Sequence, residues 1–99
     1  MIHLRSVKHR GLKNLLETGR SDTVPASLIG RIRNRLAALD AMKTIGELPP
    51  SYRAHLLVGK RRGTWAIRVN GPWRLTFKFD SETVFDLDLE QYHQSNVSA

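Results

Sequence analysis

The stretch HLLVGKRRGTWAIRVNGPWRLTFKF, His55 to Phe79, decides how this chain folds. Within it Trp65, Ile67 and Val69 alternate with Thr64, Ala66, Arg68 and Asn70, and beyond Gly71 the residues Trp73, Leu75, Phe77 and Phe79 alternate with Arg74, Thr76 and Lys78. Successive side chains of a strand point to opposite faces, so a period of two over both runs, with a turn signal at Asn70-Gly71, predicts a half-buried hairpin. One face is apolar and needs a cover. The other carries Arg68, Arg74 and Lys78, with Lys60, Arg61 and Arg62 in the preceding turn, and the whole stretch contains no carboxylate. A sheet with one cationic face is a platform for a polyanion.

Working outward, Asp80-Ser81-Glu82 is the next turn, and Thr83 to Leu89 the last strand, in which Asp86 and Asp88 alternate with Phe85, Leu87 and Leu89. On the other side Gly59 to Gly63 is a turn and Ala54 to Val58 a strand. Pro49-Pro50 stops a short helical turn at Thr44 to Leu48 and leaves the chain extended. Further back, Leu28, Ile29, Ile32, Leu36 and Leu39 step by threes and fours after the helix-start signal Ser21-Asp22-Thr23 and Pro25, while Arg31, Arg33, Asn34 and Arg35 fall mostly off that stripe. This predicts an amphipathic helix with a solvated arginine face. Val7 to Thr18 carries Leu12, Leu15 and Leu16 at helical spacing and ends at Gly19, the residue type that favours a helix C-terminus. Ile2 to Arg5 is a short apolar run with the length of an edge strand. The order predicts an α+β fold, two N-terminal helices packed on one face of a small, mainly antiparallel sheet. Residues 1–99 are expected to form a single domain, with 94–99 fraying as a tail.

Sixteen Lys and Arg against nine Asp and Glu give a formal charge of +7 and a pI near 10.6, which favours nucleic acid or another anionic partner. The charge is uneven. Residues 1–41 carry +5, 42–79 carry +7, and 80–99 carry −5 with no Lys or Arg at all. An acidic last strand beside a basic hairpin reads as cross-strand neutralisation. The chain has no cysteine, which excludes disulfides, thiolate catalysis and thiolate-bound zinc and fits a cytoplasmic setting. No run of about 20 apolar residues would span a bilayer, and MIHLRSVKHR lacks the apolar core of a signal peptide, so no membrane association is expected. The four histidines have no recognisable ligand spacing, so neither a metal nor a cofactor is expected.

Several pieces taken in order carry a family resemblance: Lys8-His9-Arg10-Gly11-Leu12, Ile45-Gly46-Glu47-Leu48, His55, Gly63-x-Trp65, Trp73-Arg74-Leu75-Thr76-Phe77 and the closing Tyr92-His93. In order and spacing these resemble the HigB toxins of type II toxin–antitoxin modules, within the RelE/ParE superfamily, over about nine-tenths of the chain. The resemblance implies a RelE-like fold and a ribosome-dependent endoribonuclease that cuts messenger RNA in the decoding site. It implies silencing by a helix-turn-helix, HigA-like antitoxin, with operator DNA reached only through the antitoxin complex. Two positions depart from the family's pattern. Many members carry a lysine three residues after the place of His55, where this chain has Val58, with Lys60 and Arg61 the nearest cations. Many also end in Asp-Tyr-His, where Gln91 here replaces the acid that would orient His93.

The chemistry can be read from the residues as well. Cutting RNA with side chains alone needs a base for a 2′-hydroxyl proton, a cation for the charge growing on phosphate, and an acid for the departing 5′-oxygen. Histidine suits either proton role, and arginine, which keeps its proton, suits the clamp. The catalytic candidates are therefore His55, Arg74, Tyr92 and His93, with His93 leading for proton transfer and His55 second. Lys60, Arg61, Arg68 and Lys78 are candidates for holding RNA phosphates. Each has a plainer alternative: Arg74 could pair with Asp86 or Asp88, His55 could be an ordinary strand histidine, His93 a histidine in a loose terminus, and Lys60 and Arg61 a solvated turn. His3 and His9 are assigned to structure or solvent, and Trp65 and Trp73 to the core. A second class, a non-catalytic ParE-like toxin or binding module acting on DNA gyrase, stays open; His55 with His93 favours the nuclease, because a binder needs no proton-transfer groups.

Overall fold

Four strands follow one another as an antiparallel meander: β1 (His55–Leu56), β2 (Trp65–Asn70), β3 (Trp73–Asp80) and β4 (Thr83–Gln91). Two helices, α1 (Arg10–Thr18) and α2 (Ile29–Ala41), precede them, so the fold is α+β as the element order predicts. The structure, a computed structural model, describes residues 1–91.

The predicted hairpin forms with its expected alternation. Ile67, Val69, Leu75 and Phe77 are buried on one face, in a single cluster with Leu12 and Leu15 of α1 and Ile32, Leu36 and Leu39 of α2. Each such side chain taken fully from water contributes roughly 1.5–3 kcal/mol, which is what holds the helices on the sheet. Trp65 and Trp73 are half-buried against this cluster, on the core side as expected. The β2–β3 loop is Gly71-Pro72, with Gly71 at φ +54, the positive φ that a two-residue hairpin turn requires at its first central position and that glycine adopts most easily. α1 ends at Gly19, φ +79, whose N–H donates to the Leu15 carbonyl at 2.9 Å, as its sequence position predicts. Its start is later than expected, at Arg10, because His9 caps it: the Leu12 N–H donates to His9 Nδ1 at 3.2 Å. The structural assignment of His9 stands on that bond.

Several expectations are corrected. Ile2 to Arg5 is not a strand. Ile2 makes one parallel bridge to Val84 and the chain then turns through a 3-10 helix at Leu4–Ser6. The residues after Pro49-Pro50 are not extended either. Pro49 is extended, as a residue before proline must be, but Pro50, with φ set for a helix start, opens a 3-10 turn at Pro50–Tyr52. β1 is two residues rather than five, because it lies at the sheet edge beyond the helices' cover; Leu56 is 50% and Val58 87% exposed. The Ser21-Asp22-Thr23 signal caps its own turn, Val24 N–H donating to Ser21 Oγ, and the helical path begins at Ala26. The arginine face of α2 is not simply solvated. Arg33 donates to the Gly19 carbonyl at the end of α1, and Arg35 lies 4.3 Å from the Tyr52 ring centroid while its Nε donates to the Arg68 carbonyl at 2.6 Å.

The largest correction is in β4. Thr76 pairs with Asp88 but Lys78 pairs with Phe85, so Asp86 and Leu87 together oppose Phe77. This is a β-bulge, with Asp86 at φ +53 in the left-handed region that Asp tolerates better than most residues. The extra residue changes the facing of everything before it. Val84, not Phe85, joins Leu87 and Leu89 in the core, and Phe85 stands on the polar face beside Lys78. The bulge's amide is satisfied by the N-terminal segment, Asp86 N–H donating to Ser6 Oγ at 2.8 Å, and Lys8 N–H donates to the Leu87 carbonyl at 2.7 Å.

Candidate nucleic-acid interface

Two adjacent rungs of the polar sheet face build the site. In the first, His55, Ala66, Thr76 and Asp88 are successive cross-strand partners from β1 to β4. In the second, two residues along, Arg68 pairs with Arg74 and Arg74 with Glu90. Direct partners hold their Cβ atoms about 4.5–5.5 Å apart and diagonal ones within about 7–8 Å, so the side chains of both rungs share one hollow. That hollow has a volume of about 880 Å³ and is lined by Arg53, His55, Arg61, Arg68, Arg74, Thr76, Glu90 and Gln91, with Ala54, Leu57, Val58 and Ala66 as its apolar parts. Ala66 is the reason for its depth. A methyl side chain between His55 and Thr76 leaves open the space that a larger one would fill.

Each functional side chain is oriented by its strand and a local bond. His55 is exposed, and its Nδ1 lies 2.9 Å from the Arg53 carbonyl oxygen. A carbonyl can only accept, so Nδ1 carries the hydrogen and Nε2 is the acceptor of the neutral ring. Arg53 presents that carbonyl from φ +53, immediately after the Pro50–Tyr52 turn. Arg74 is half-buried, and its Nη1 donates to the carbonyls of Gly71 at 2.7 Å and Trp73 at 3.0 Å, which fixes one end of its guanidinium. Arg68 is held from behind, since Arg35 of α2 grips its carbonyl; burial lowers the Arg35 pKa, without bringing a guanidinium near neutrality.

Glu90 is the carboxylate that the sequence reading missed. Arg61 Nη1 donates to Oε1 at 2.8 Å and Arg61 Nη2 to Oε2 at 2.6 Å, a two-toothed ion pair, and Thr76 Oγ1 donates to the same Oε2. These bonds, Arg61's first, hold the Glu90 carboxyl below the usual carboxylate range and raise Arg61 above its ordinary value. The signal was available. Glu90 continues the period of two through Asp88, but the predicted strand stopped at Leu89, whereas β4 runs to Gln91.

Of the predicted site residues, His55, Arg61, Arg68 and Arg74 meet in the hollow. Lys60 and Lys78 do not line it. They border a smaller neighbouring depression of about 200 Å³ with Lys8, Arg61, Asp86 and Asp88, and Lys78 lies 3.9 Å from Asp86. The Asp86 ion pair therefore goes to Lys78, and the register sets Glu90 opposite Arg74. Tyr92 and His93 lie outside the described residues. Among the described residues no three His, Asp or Glu side chains come together as metal ligands, and no helix is long and apolar enough to cross a membrane.

Comparison with known proteins agrees with this architecture. Residues 5–93 match the HigB-like toxin family, described as the RelE-like toxin of type II toxin–antitoxin system HigB. The chain is 44% identical over 91 residues, 91% of its own length and 99% of the relative's, to the protein named Endoribonuclease HigB from Proteus vulgaris. Among solved structures it is similar to YafQ from E. coli strain BL21(DE3) and to a YafQ mutant from E. coli. Each has a TM-score of 0.53 and 19% identity, with 90% of this chain and 87% of the other covered. At that identity the likeness is one of fold.

Proposed function

Because this chain belongs to the RelE-like HigB toxin family of type II toxin–antitoxin systems, we propose that the arginine-lined hollow is the active site of an endoribonuclease that cuts messenger RNA in the ribosomal decoding site. A family relative bears the name endoribonuclease, and the geometry supports the same chemistry here. The observation that carries the reading is the rung in which Arg68 faces Arg74, beside a histidine whose Nε2 is an acceptor. Two arginines that are direct cross-strand partners bring two sets of fixed-charge donors to one face, where a phosphate can accept from both.

In the proposed step His55 Nε2 takes the proton of a 2′-hydroxyl, and the 2′-oxygen attacks the adjacent phosphorus. The bond from phosphorus to the 5′-oxygen breaks, leaving a 2′,3′-cyclic phosphate and, once the 5′-oxygen has gained a proton, a 5′-hydroxyl. Arg74 and Arg68 hold the charge that develops on the non-bridging oxygens, where a fixed donor is worth about 10²–10³ in rate. His93 is proposed as the acid, with Tyr92 beside it, since both follow the hollow-lining Gln91 in sequence. Lys60 and Lys78, on the depression next door, are proposed to hold flanking phosphates.

A cognate antitoxin is the partner that the family implies. We take it to be a helix-turn-helix, HigA-like protein that carries the complex to operator DNA, and we place the toxin's action in the cytoplasm. Primer extension on translated messenger RNA tests the activity. Wild type should leave discrete breaks that vanish in Arg74→Ala and weaken strongly when the chain is truncated after Gln91. Intact messenger RNA together with inhibited gyrase supercoiling would move the chain to the gyrase-directed class.

A further inference from the structure

We propose that Glu90 is a positioning residue for RNA binding, holding the Arg61 guanidinium at the mouth of the hollow so that Arg61 joins Arg68 and Arg74 in gripping phosphate. This rests on reading the hollow as the RNA site. Arg61 stands on the exposed 3-10 turn Gly59–Arg61, between glycines at φ +72 and φ +93, where a long side chain left to itself samples many rotamers. Its side chain is 49% exposed, yet both of its Nη atoms are fixed on Glu90. Glu90 is fixed in turn by Thr76, which is only 4% exposed and sits on the His55 rung. The relay Thr76, Glu90, Arg61 thus runs from the rigid centre of the sheet to a cation that the turn alone would not place.

Of the cations on the β1–β2 connection, Arg61 lines the hollow; Lys60 borders the neighbouring depression instead, and Val58 lines the hollow without charge. The two-toothed pair uses one hydrogen of each Nη and leaves Nε–H and the outer Nη hydrogens to donate to a phosphate. Glu90 does not fit the role of base, because both its oxygens already accept hydrogen bonds and its carboxyl is held below the usual range.

The test uses the full chain and two assays. One is binding of a 2′-O-methyl RNA oligonucleotide, which cannot be cleaved, across a salt series; the other is steady-state cleavage of ribosome-bound messenger RNA. Glu90→Ala and Arg61→Ala should each weaken oligonucleotide binding about tenfold and lower the slope of log K against log salt by about 0.7, one single-strand phosphate contact. KM should rise about as much while kcat stays within about twofold, the mark of lost uniform binding. The double variant should bind no more weakly than Arg61→Ala alone, since the two residues act as one unit. Glu90→Gln, which keeps an acceptor for Arg61 and has the shape of the original, should fall between wild type and Glu90→Ala, and it serves if the alanine variant does not fold. Tighter binding by the Glu90 variants would overturn the proposal, because it would mean that the carboxylate only repels RNA. So would additive losses, or a fall in kcat at constant KM. A wild-type chain that binds the oligonucleotide but cleaves nothing would reject the nuclease reading while leaving the Glu90 arm decided by binding.

Discussion

Arg68 and Arg74 are direct partners across β2 and β3, two guanidinium side chains on one rung of the sheet. Like charges directly opposite destabilise a strand pair by about 0.2–1 kcal/mol. Arg68→Ala should therefore raise the melting temperature of the free chain while lowering messenger RNA cleavage at least about tenfold. Parallel thermal melts and cleavage assays check this, and a lower melting temperature with unchanged cleavage would show that the rung is merely structural.

The His55 side chain is exposed, and among the described residues its hydrogen-bond partner is the Arg53 carbonyl. His55→Ala should leave stability within about 0.5 kcal/mol of wild type and lower kcat by about 10²–10⁴. His55→Gln, which cannot take up a proton at neutral pH, should be no better than alanine. Near-normal turnover in either variant would remove His55 from proton transfer.

The Arg61–Glu90 pair makes stability depend on acid. The Glu90 carboxyl is lowered from 4.5, by Arg61 before any other cause, so its contribution is fully present above that value and is lost as pH falls through the lower, folded one. Melting curves of wild type and Glu90→Gln between pH 7 and pH 2.5, roughly, should differ by a constant amount above about pH 5 and converge below the carboxylate range. A gap that widened on acidification would contradict the sign of the shift.

Asp86 holds the β4 bulge at φ +53. Asp86→Gly should fold normally, because glycine enters this region freely, whereas Asp86→Val should cost about 1–2 kcal/mol for a branched side chain at positive φ. Denaturant titration of the two variants checks the order. Equal stability would mean that the strand realigns without its bulge, with Phe85 moving to the core side.

The core should rank its aromatics by burial. Phe77 is fully buried, so Phe77→Ala should cost about 3–5 kcal/mol. Trp73 is half-buried at the start of β3 and should cost roughly half as much, and Arg74→Ala beside it should cost less still. A melt that ranked Arg74→Ala below Phe77→Ala would mean that the strand faces are misassigned.

The alternation of Trp65 to Phe79 by itself determined the central hairpin, its apolar and cationic faces, and the neighbourhood of Arg68 and Arg74, because a period of two is a property of the strand and is written into any sequence that folds as one. The stripes at Leu12 to Leu16 and Leu28 to Leu39 likewise determined which helix faces meet the sheet. What tertiary structure decided was everything that depends on where a strand begins, ends or slips. The bulge at Asp86 sent Phe85 outward and Val84 inward, against an alternation that looks unbroken in sequence, because one residue at positive φ shifts the register of all those before it. The extension of β4 to Gln91 brought Glu90 onto the Arg74 rung and so to Arg61, 29 residues away along the chain. No local pattern encodes that pair. It exists because the edge turn and the last strand approach the same hollow from opposite sides, and a carboxylate partly removed from water is stabilised by a partner held at hydrogen-bond distance.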